Sequence, residues 1–174
     1  NRVLCFCTRN LRKQLRTMGM LIVQDFCWNL ISQNQAKEKT TWLWNDEIHH
    51  SLKHPATADW LYNCWKRGRK YGLIATGITQ EVRDVCKSED YKALIANSEF
   101  IMLYRQKPDM LDDLKQVVPL SAQQIEFLLQ CDAGTGLFKA GNNLVEFTNK
   151  YTPGTELYEI LSTTVGREHR YDAG

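Results

Sequence analysis

The feature that most constrains the fold is an alternation of short apolar, β-branched segments with longer segments of helical periodicity. Strand-like runs occupy residues 3–8, 41–46, 73–79 and 100–104. Between them lie segments whose apolar residues recur every three or four positions, as in amphipathic helices. Parallel neighbouring strands need such crossover connections. The order of the segments therefore predicts an α/β fold with a largely parallel sheet that helices cover on both faces.

Three helices are predicted in the first part of the chain. Residues 56–71 form one helix that ends at Gly72, a residue suited to a C-terminal cap, and residues 82–96 form another that is interrupted near Ser88. The first helix precedes both, and we expect a break in it near Gly19. Its apolar stripe consists of Leu11, Leu15, Met18, Ile22, Phe26 and Leu30.

The last third of the chain is predicted to contain three short helices and a β-hairpin. Pro108 can open a helix that continues to residue 117, and Ser121 with Gln124 forms a capping box for the next helix. A Gly-Asn-Asn segment joins two strand-like runs, which indicates a hairpin. The remaining segments are the hairpin strands at 136–140 and 144–147, a helix at 155–161 and a polar tail at 165–174.

Composition and charge exclude several classes of protein. The chain has 174 residues, of which 43% are hydrophobic and 24% charged, as in one globular domain. Its formal charge of +2 is too small to argue by itself for nucleic acid or an anionic membrane. No apolar run approaches the roughly 18 to 20 residues of a membrane-spanning helix. Disordered, fibrous and membrane-spanning proteins are therefore excluded.

The cysteines form neither a zinc motif nor a redox motif. No C-x-x-C pair occurs among the six, so we interpret them as reduced thiols. Cys5 and Cys7 lie two residues apart in the first predicted strand, so we expect both to face one side of it and to pack like small apolar groups. The other four are Cys27, Cys64, Cys86 and Cys131.

Polar residues follow two of the predicted strands at the point where each strand ends. Asp46 and Glu47 come directly after an apolar run, and Gln80 follows the next strand. In open parallel sheets, ligands bind beyond the carboxyl ends of the strands. An aspartate there can hold Mg²⁺, a glutamate can polarise an attacking water, and an amide can contact the γ-phosphate of a nucleotide. Each feature alone is also typical of a solvated turn, so the evidence is their combination.

Four cations lie at the end of the helix predicted over residues 56–71. They are Lys66, Arg67, Arg69 and Lys70. The partial negative charge of a helix C-terminus favours cations there without any function. Alternatively, Arg69 or Lys70 reaches a phosphate in an adjoining subunit, as arginine fingers do.

Four segments, in this order, resemble the conjugative-transfer ATPases of type IV secretion systems, which are the VirB-type, TraC and TrbE relatives of the HerA and FtsK motors. The similarity extends from about residue 1 to residue 164. The segments are Trp-Asn-Asp-Glu-Ile-His at 44–49, Trp-Lys-Arg-Gly-Arg-Lys-Tyr-Gly at 65–72, Thr-Gly-Ile-Thr-Gln at 76–80 and Asn-Ser-Glu-Phe at 97–100.

The resemblance implies a RecA-like P-loop NTPase domain over residues 1–164 that uses ATP and Mg²⁺. It implies partners as well, namely other ATPase subunits in a homo-hexamer, components of the secretion channel, and DNA in the assembled machine. It implies a cytoplasmic position at the inner face of a bacterial membrane. The resemblance also implies the roles of the site residues. Asp46 is the Walker B acid, which binds magnesium through water, Glu47 is the catalytic glutamate, and Gln80 is the sensor; Asp46 and Gln80 contact the nucleotide. Arg69 and Lys70 are the intersubunit cations.

Two features depart from the family pattern. Asn45 stands where the family usually has an aliphatic residue, and the chain nowhere contains G-x-x-x-x-G-K-[ST], the Walker A loop that cradles the phosphates. In the family that loop precedes the region represented here, so we expect a C-terminal fragment of a motor domain that cannot hydrolyse ATP alone. The strand of the loop lies between the strands predicted at 73–79 and 100–104. We therefore expect these two edges to be bare, and the fragment to be marginally stable or to pair them directly.

Two other hypotheses remain open. The chain could be a naturally short, non-catalytic module that assembles with full-length ATPase subunits. It could instead hold a metal, because Glu47-x-x-His50 and His50-x-x-x-His54 have spacings that place ligands on one face of a helix. Pro55 argues against a continuous helix there.

Overall fold

The computed structural model describes residues 2–8, 10–86 and 89–161, and within these ranges the chain has a mixed α/β fold. The helices and strands are α1 (Lys13–Gln35), β1 (Thr41–Asn45), α2 (His49–Leu52), α3 (Pro55–Arg67), a 3₁₀ turn (Gly68–Tyr71), β2 (Leu73–Gly77), α4 (Val82–Val85), α5 (Glu89–Ala96), β3 (Phe100–Tyr104), α6 (Pro108–Lys115), α7 (Ala122–Gln130), β4 (Thr135–Ala140), β5 (Asn143–Thr148) and α8 (Glu156–Leu161). In the part of the chain that is described, no helix has the length and apolar character needed to cross a membrane.

The first half of the fold is built on a parallel pair of strands. β1 and β2 lie side by side, with Thr41 opposite Leu73 and Asn45 opposite Gly77. The crossover runs through α2, α3 and the 3₁₀ turn, and it ends at Gly72, whose φ of 61° is the left-handed conformation expected of a glycine cap. This β-α-β unit confirms the prediction for residues 41–79.

The second half is an antiparallel sheet in the order β3-β4-β5. β4 and β5 form the predicted hairpin, and Gly141 adopts a φ of 56° in the turn between them. The predicted capping box is present: the Ser121 side chain accepts from the backbone N–H of Gln124, and the Gln124 side chain accepts from that of Ser121. The described strands therefore form two sheets and not the single, largely parallel sheet that was predicted, because only β1 and β2 among them pair in the parallel sense.

Among the described residues, buried apolar side chains form two neighbouring clusters in the first half and one cluster in the second. In the first half Leu61 and Ala58 of α3 pack with Ile48 and Leu94, and a neighbouring cluster joins Ile31 of α1 to the β1–β2 pair. In the second half, α6 and α7 cover one face of the antiparallel sheet. The buried side chains of that cluster are Leu103, Leu111, Leu114, Val118, Leu128 and Leu137.

Both sheets expose apolar side chains on one face, which contradicts the prediction of a sheet covered on both sides. Along each strand the side chains alternate between the faces, and α1 and α3 pack against only one face of the first sheet. The exposed side chains of the strands include Trp42, Trp44, Ile74, Phe100, Met102 and Tyr104. Among the described strands β2 pairs only with β1, and β3 only with β4. One edge of β2 and one edge of β3 therefore lack a strand partner among the described strands, and these two edges do not pair with each other.

The N-terminal part differs most from the sequence-based prediction. Residues 3–8 form no strand, and Cys5 and Cys7 are exposed, because the described residues provide no neighbouring strand with which this segment could pair. α1 is continuous through Gly19, where any side chain would overlap Leu11. The glycine therefore makes room for a packed side chain and does not break the helix.

The predicted stripe of α1 is mostly exposed. Leu15, Met18, Ile22 and Phe26 all lie at the surface, whereas Ile31 is buried. The apolar spacing correctly indicated a helix but not which of its residues face the core. The predicted interruption near Ser88 and the tail at 165–174 fall outside the described residues.

Candidate functional site

The carboxyl ends of β1 and β2 place two polar segments at one rim of the parallel pair. Backbone pairing continues past the strands: the Ile78 N–H donates to the Asn45 carbonyl, and the Ile48 N–H donates to the Ile78 carbonyl, both at 2.9 Å. Residues 46–47 therefore leave β1 beside residues 79–80, which leave β2. We call this arrangement, with Asp46, Glu47, His49, Thr79 and Gln80, the rim cluster.

Glu47 and Gln80 are in direct contact within the rim cluster. The Gln80 amide nitrogen Nε2 donates to Glu47 Oε1 at 2.8 Å. Glu47 has a φ of 51°, the left-handed conformation that is uncommon for a residue with a side chain. Its position therefore depends on the surrounding contacts, and such strained residues concentrate at functional sites.

Asp46 lies beside Glu47 and is exposed. Its carboxylate oxygen Oδ1 accepts from the backbone N–H of Glu47 at 3.0 Å, which fixes the turn after β1. The structure thus brings Asp46, Glu47 and Gln80 together at one rim, as the parallel pairing of the strands predicts.

The second carboxylate oxygen of Glu47 has a different environment. Oε2 is buried and lacks a well-aligned hydrogen-bond donor in the described part of the chain, but it lies 3.2 Å from Nδ1 of His49. The same Nδ1 lies 3.3 Å from the hydroxyl of Thr79, which accepts from the backbone N–H of Glu81 at 3.0 Å. The sequence alone assigned no role to His49 or Thr79; only their positions within the motif segments could have drawn attention to them.

The donor set of the rim cluster fits a magnesium-bound triphosphate. Hard cations such as Mg²⁺ prefer carboxylate oxygens and retain several waters, and Asp46 offers an exposed carboxylate for that purpose. The buried, unaligned Oε2 of Glu47 is an acceptor that an ordered water could satisfy. Both features suit a site at which a carboxylate faces an attacking water.

Arg69 and Lys70 are not part of the rim cluster. They lie in the 3₁₀ turn that precedes β2, whereas Gln80 follows β2 at the other end. A strand of five residues spans about 15 Å, so these cations do not reach the rim of their own chain. This placement excludes a contact with the rim cluster of the same chain, and it is compatible both with the preference of cations for a helix C-terminus and with a contact to another subunit.

The alternative metal site does not form. α2 has only four residues, and Glu47 precedes it in a non-helical conformation, so the proposed ligands do not share a helical face. Within the described ranges no group of three or more His, Cys, Asp or Glu side chains could hold a metal ion. The rings of His49 and His50 lie against each other in a tilted arrangement, with centroids 4.2 Å apart and an interplanar angle of 47°. Partial burial, followed by the neighbouring charge of His49, lowers the pKa of His50.

The four segments that carry the family resemblance meet in space. A side chain at Gly77 would overlap Ile48 and press against Trp65, so this glycine lets both side chains pack over the end of β2. The indole Nε1 of Trp65 donates to Ser98 Oγ at 3.0 Å, and Ser98 in turn donates to the Leu94 carbonyl at 2.7 Å. Each of the four segments therefore contributes a residue to one packed unit behind the rim cluster.

The chain and its fold resemble those of a known protein. No protein-family model matches the chain, and no curated protein matches it. Among solved structures, the chain is similar to VirB4 of Thermoanaerobacter pseudethanolicus, with a TM-score of 0.73 and 25% sequence identity. This chain is VirB4-like. The match covers 83% of this chain and 40% of the VirB4 chain, so the chain spans well under half of that relative. The resemblance inferred from the motif segments is thereby confirmed.

Proposed function

We propose that the chain is the Walker B half of the motor domain of an ATP-hydrolysing type IV secretion protein with a RecA-like fold. The observation that carries the proposal is the contact between Gln80 and Glu47, 2.8 Å long, beyond the carboxyl ends of two parallel strands. The similarity to VirB4 indicates the class of motor.

Each residue of the rim has a role that its geometry supports. Asp46 is exposed and binds the magnesium ion through water, while Glu47 polarises the attacking water with Oε2, which is buried. Gln80 holds the other carboxylate oxygen of Glu47 and contacts the terminal phosphate, so it links the state of the nucleotide to β2. When bound, Mg²⁺ would be held by Asp46 through water and would neutralise charge that develops in the transition state.

The chain by itself is proposed to be catalytically incomplete. Its 174 residues contain no G-x-x-x-x-G-K-[ST] sequence, the motif that supplies backbone donors and a lysine to the phosphates. Losing a single preorganised donor costs about 3 kcal/mol of transition-state stabilisation, and here the whole set is missing. Among the described strands, β2 and β3 each have an edge without a partner, and the proposed strand that carries this loop would pair there.

The complete motor is proposed to be a homo-hexamer that acts with components of the secretion channel and with DNA, on the cytoplasmic side of the membrane. Arg69 and Lys70 would then face the nucleotide of an adjoining subunit. Their position at the opposite end of β2 from the rim supports a contact between subunits rather than within one.

A second candidate function is a non-catalytic module that assembles with complete ATPase subunits. The missing phosphate loop favours it, and so does Asn45, a polar side chain at a half-buried position of β1 where the family has an aliphatic one. A native translation start next to residue 1 would support the module. An open reading frame that continues upstream through a glycine-rich loop and lysine would reject it.

Hydrolysis of ATP tests the proposal. The chain alone and an extended protein, in which a segment with the phosphate loop and its strand precedes residue 1, are compared with Mg²⁺ present. We expect no turnover by the chain alone and steady turnover by the extended protein. Tight binding of Mg-ATP and turnover by the chain alone would refute the proposed incompleteness, and an inactive, folded extended protein would refute the motor assignment.

A further inference from the structure

The position of Glu47 requires a second support besides Gln80. Gln80 binds only Oε1, and a glutamate side chain has several rotatable bonds whose ordering costs conformational entropy. The carboxylate also follows a left-handed backbone position in a turn. A base that must face one water precisely needs both of its oxygens held.

His49 is placed to provide that support. Its side chain is only 8% exposed, so packing fixes the ring, whereas the side chain of Glu47 is 37% exposed. Nδ1 is 3.2 Å from Glu47 Oε2 and 3.3 Å from Thr79 Oγ1. Thr79 is itself fixed through the backbone N–H of Glu81. The ring therefore connects Glu47, two residues beyond β1, to Thr79, two residues beyond β2.

The tautomer of His49 follows from the groups that face it. An ionised carboxylate can only accept a hydrogen bond, so an attractive contact with Oε2 requires the proton on Nδ1. The Thr79 hydroxyl can accept from the same N–H. The charge of Glu47 therefore favours the form of the ring with a proton on Nδ1, and the Thr79 hydroxyl is compatible with that form because it can accept as well as donate.

We infer that His49 is a positioning residue, which uses its Nδ1–H between Glu47 Oε2 and Thr79 Oγ1 to aim the Glu47 carboxylate at the attacking water. This inference rests on the proposed hydrolytic function. Gln80 binds Oε1 of Glu47, and His49 restricts the position of Oε2. Without the imidazole ring, the carboxylate would be free to rotate about its single contact with Gln80. A displacement of about 1 Å can cost about a hundredfold in rate.

The kinetic test uses the extended protein with substitutions at His49. We expect His49→Ala to lower kcat for ATP by about 10- to 100-fold, while KM changes less than about twofold. His49→Asn places an amide N–H near the position of Nδ1 and is expected to restore kcat to within about threefold of the parent. His54→Ala is the control, because His54 is exposed and its hydrogen bonds with the described residues are those of its backbone carbonyl.

The outcomes separate this inference from the proposed function. A parent that hydrolyses ATP while His49→Ala keeps full kcat would overturn the role of His49 and leave the motor assignment intact. That role is also overturned if His49→Asn, with a melting temperature equal to that of the parent, is as slow as His49→Ala. A folded parent without activity refutes the motor assignment, and the role of His49 in hydrolysis is refuted with it.

A second measurement needs no activity and uses the chain itself. Long-range ¹H–¹⁵N spectra of the imidazole of His49 are expected to show a protonated Nδ1, with a ¹⁵N shift that changes in Glu47→Gln. Observation of the Nε2–H form, or a Nδ1 shift that does not respond to Glu47→Gln, would overturn the inference even if every His49 variant failed to fold.

Discussion

Each half of the molecule contains a small sheet whose outer edges lack a partner among the described strands, yet within the described residues the first half alone gathers the candidate site. β1 and β2 are parallel, so their carboxyl ends meet and bring Asp46, Glu47 and Gln80 to one rim. β3, β4 and β5 are antiparallel, so successive strands end at opposite edges. Their described residues supply an apolar core and a tight hairpin. Strand direction, more than composition, therefore decides where chemistry can concentrate.

The largest expected effect is the loss of kcat on neutralising Glu47 in the first half, compared with neutralising Glu146 in the second. In the extended protein, Glu47→Gln keeps the shape of the side chain but removes its charge, so we expect kcat for ATP to fall about a thousandfold, within the range typical of a lost general base. Glu146→Gln on β5 is the matched control and should leave kcat unchanged, because Glu146 is exposed and belongs to the antiparallel sheet. Steady-state ATPase assays check both, and equal losses would abolish the distinction between the halves.

The next effect concerns stability in the antiparallel half. A side chain at Gly136 of β4 would collide with the backbone carbonyl of Leu103 on β3, which cannot move without breaking the pairing. Gly136→Ala is therefore expected to lower the free energy of unfolding by about 3 kcal/mol. Gly141→Ala should cost only about 1 kcal/mol, since its surroundings are open and only the left-handed φ of 56° is unfavourable. Urea unfolding measures both, and a reversed order would contradict the pairing of β3 with β4.

A smaller effect tests the hydrogen bond from α3 to the segment before β3. Ser98→Ala removes the acceptor for the indole N–H of Trp65, and we expect a loss of about 1 kcal/mol. Trp65→Phe removes the donor. In a double-mutant cycle, the two substitutions should show a coupling energy of about 1 kcal/mol. Strict additivity would mean that this hydrogen bond does not form, and the four motif segments would then not meet as described.

The smallest effect is a difference in pH dependence. Burial and the charges of His49 and Lys53 lower the pKa of His50 in the folded chain below 6.5, so its contribution to stability is present above that pH and is lost as the pH falls. In the second half the pKa of Asp132 is lowered by its hydrogen bond with Lys150, so that contribution disappears only as the pH falls below 3.8. Urea midpoints between pH 8 and 5 should therefore decline less in His50→Gln than in the parent. Between pH 8 and 5, the urea midpoint of Asp132→Asn should decline as steeply as that of the parent. A parent-like decline in His50→Gln together with a smaller decline in Asp132→Asn would contradict the lowered pKa values of His50 and Asp132.

Much of the local structure could be predicted because it depends on near neighbours. β3 lies where its apolar, aromatic composition indicates, and the capping box at Ser121 and the hairpin turn at Gly141 are local signals that tertiary contacts did not override. The rim could be predicted as well, since a crossover of helical length forces β1 and β2 to be parallel. Their carboxyl ends then coincide.

The errors concern contacts between distant parts of the chain. Residues 3–8 have strand-like composition, but a strand needs a pairing partner, and none of the described strands provides one. The partner of β3 was also unpredictable, because its pairing with β4 spans more than thirty residues and no local signal specifies it. His49 was missed for the same reason: its contact with Thr79 exists only after the parallel pair has formed.

The most direct test of the central claim is the contact between Glu47 and Gln80, measured by NMR in the chain alone. We predict nuclear Overhauser effects between the Gln80 side-chain amide protons and the Glu47 γ protons, together with contacts between Trp42 and Ile74 that report the parallel pair. Contacts between Trp42 and Ile74 without any between Gln80 and Glu47 would contradict the account, because the strands would then pair without building the rim.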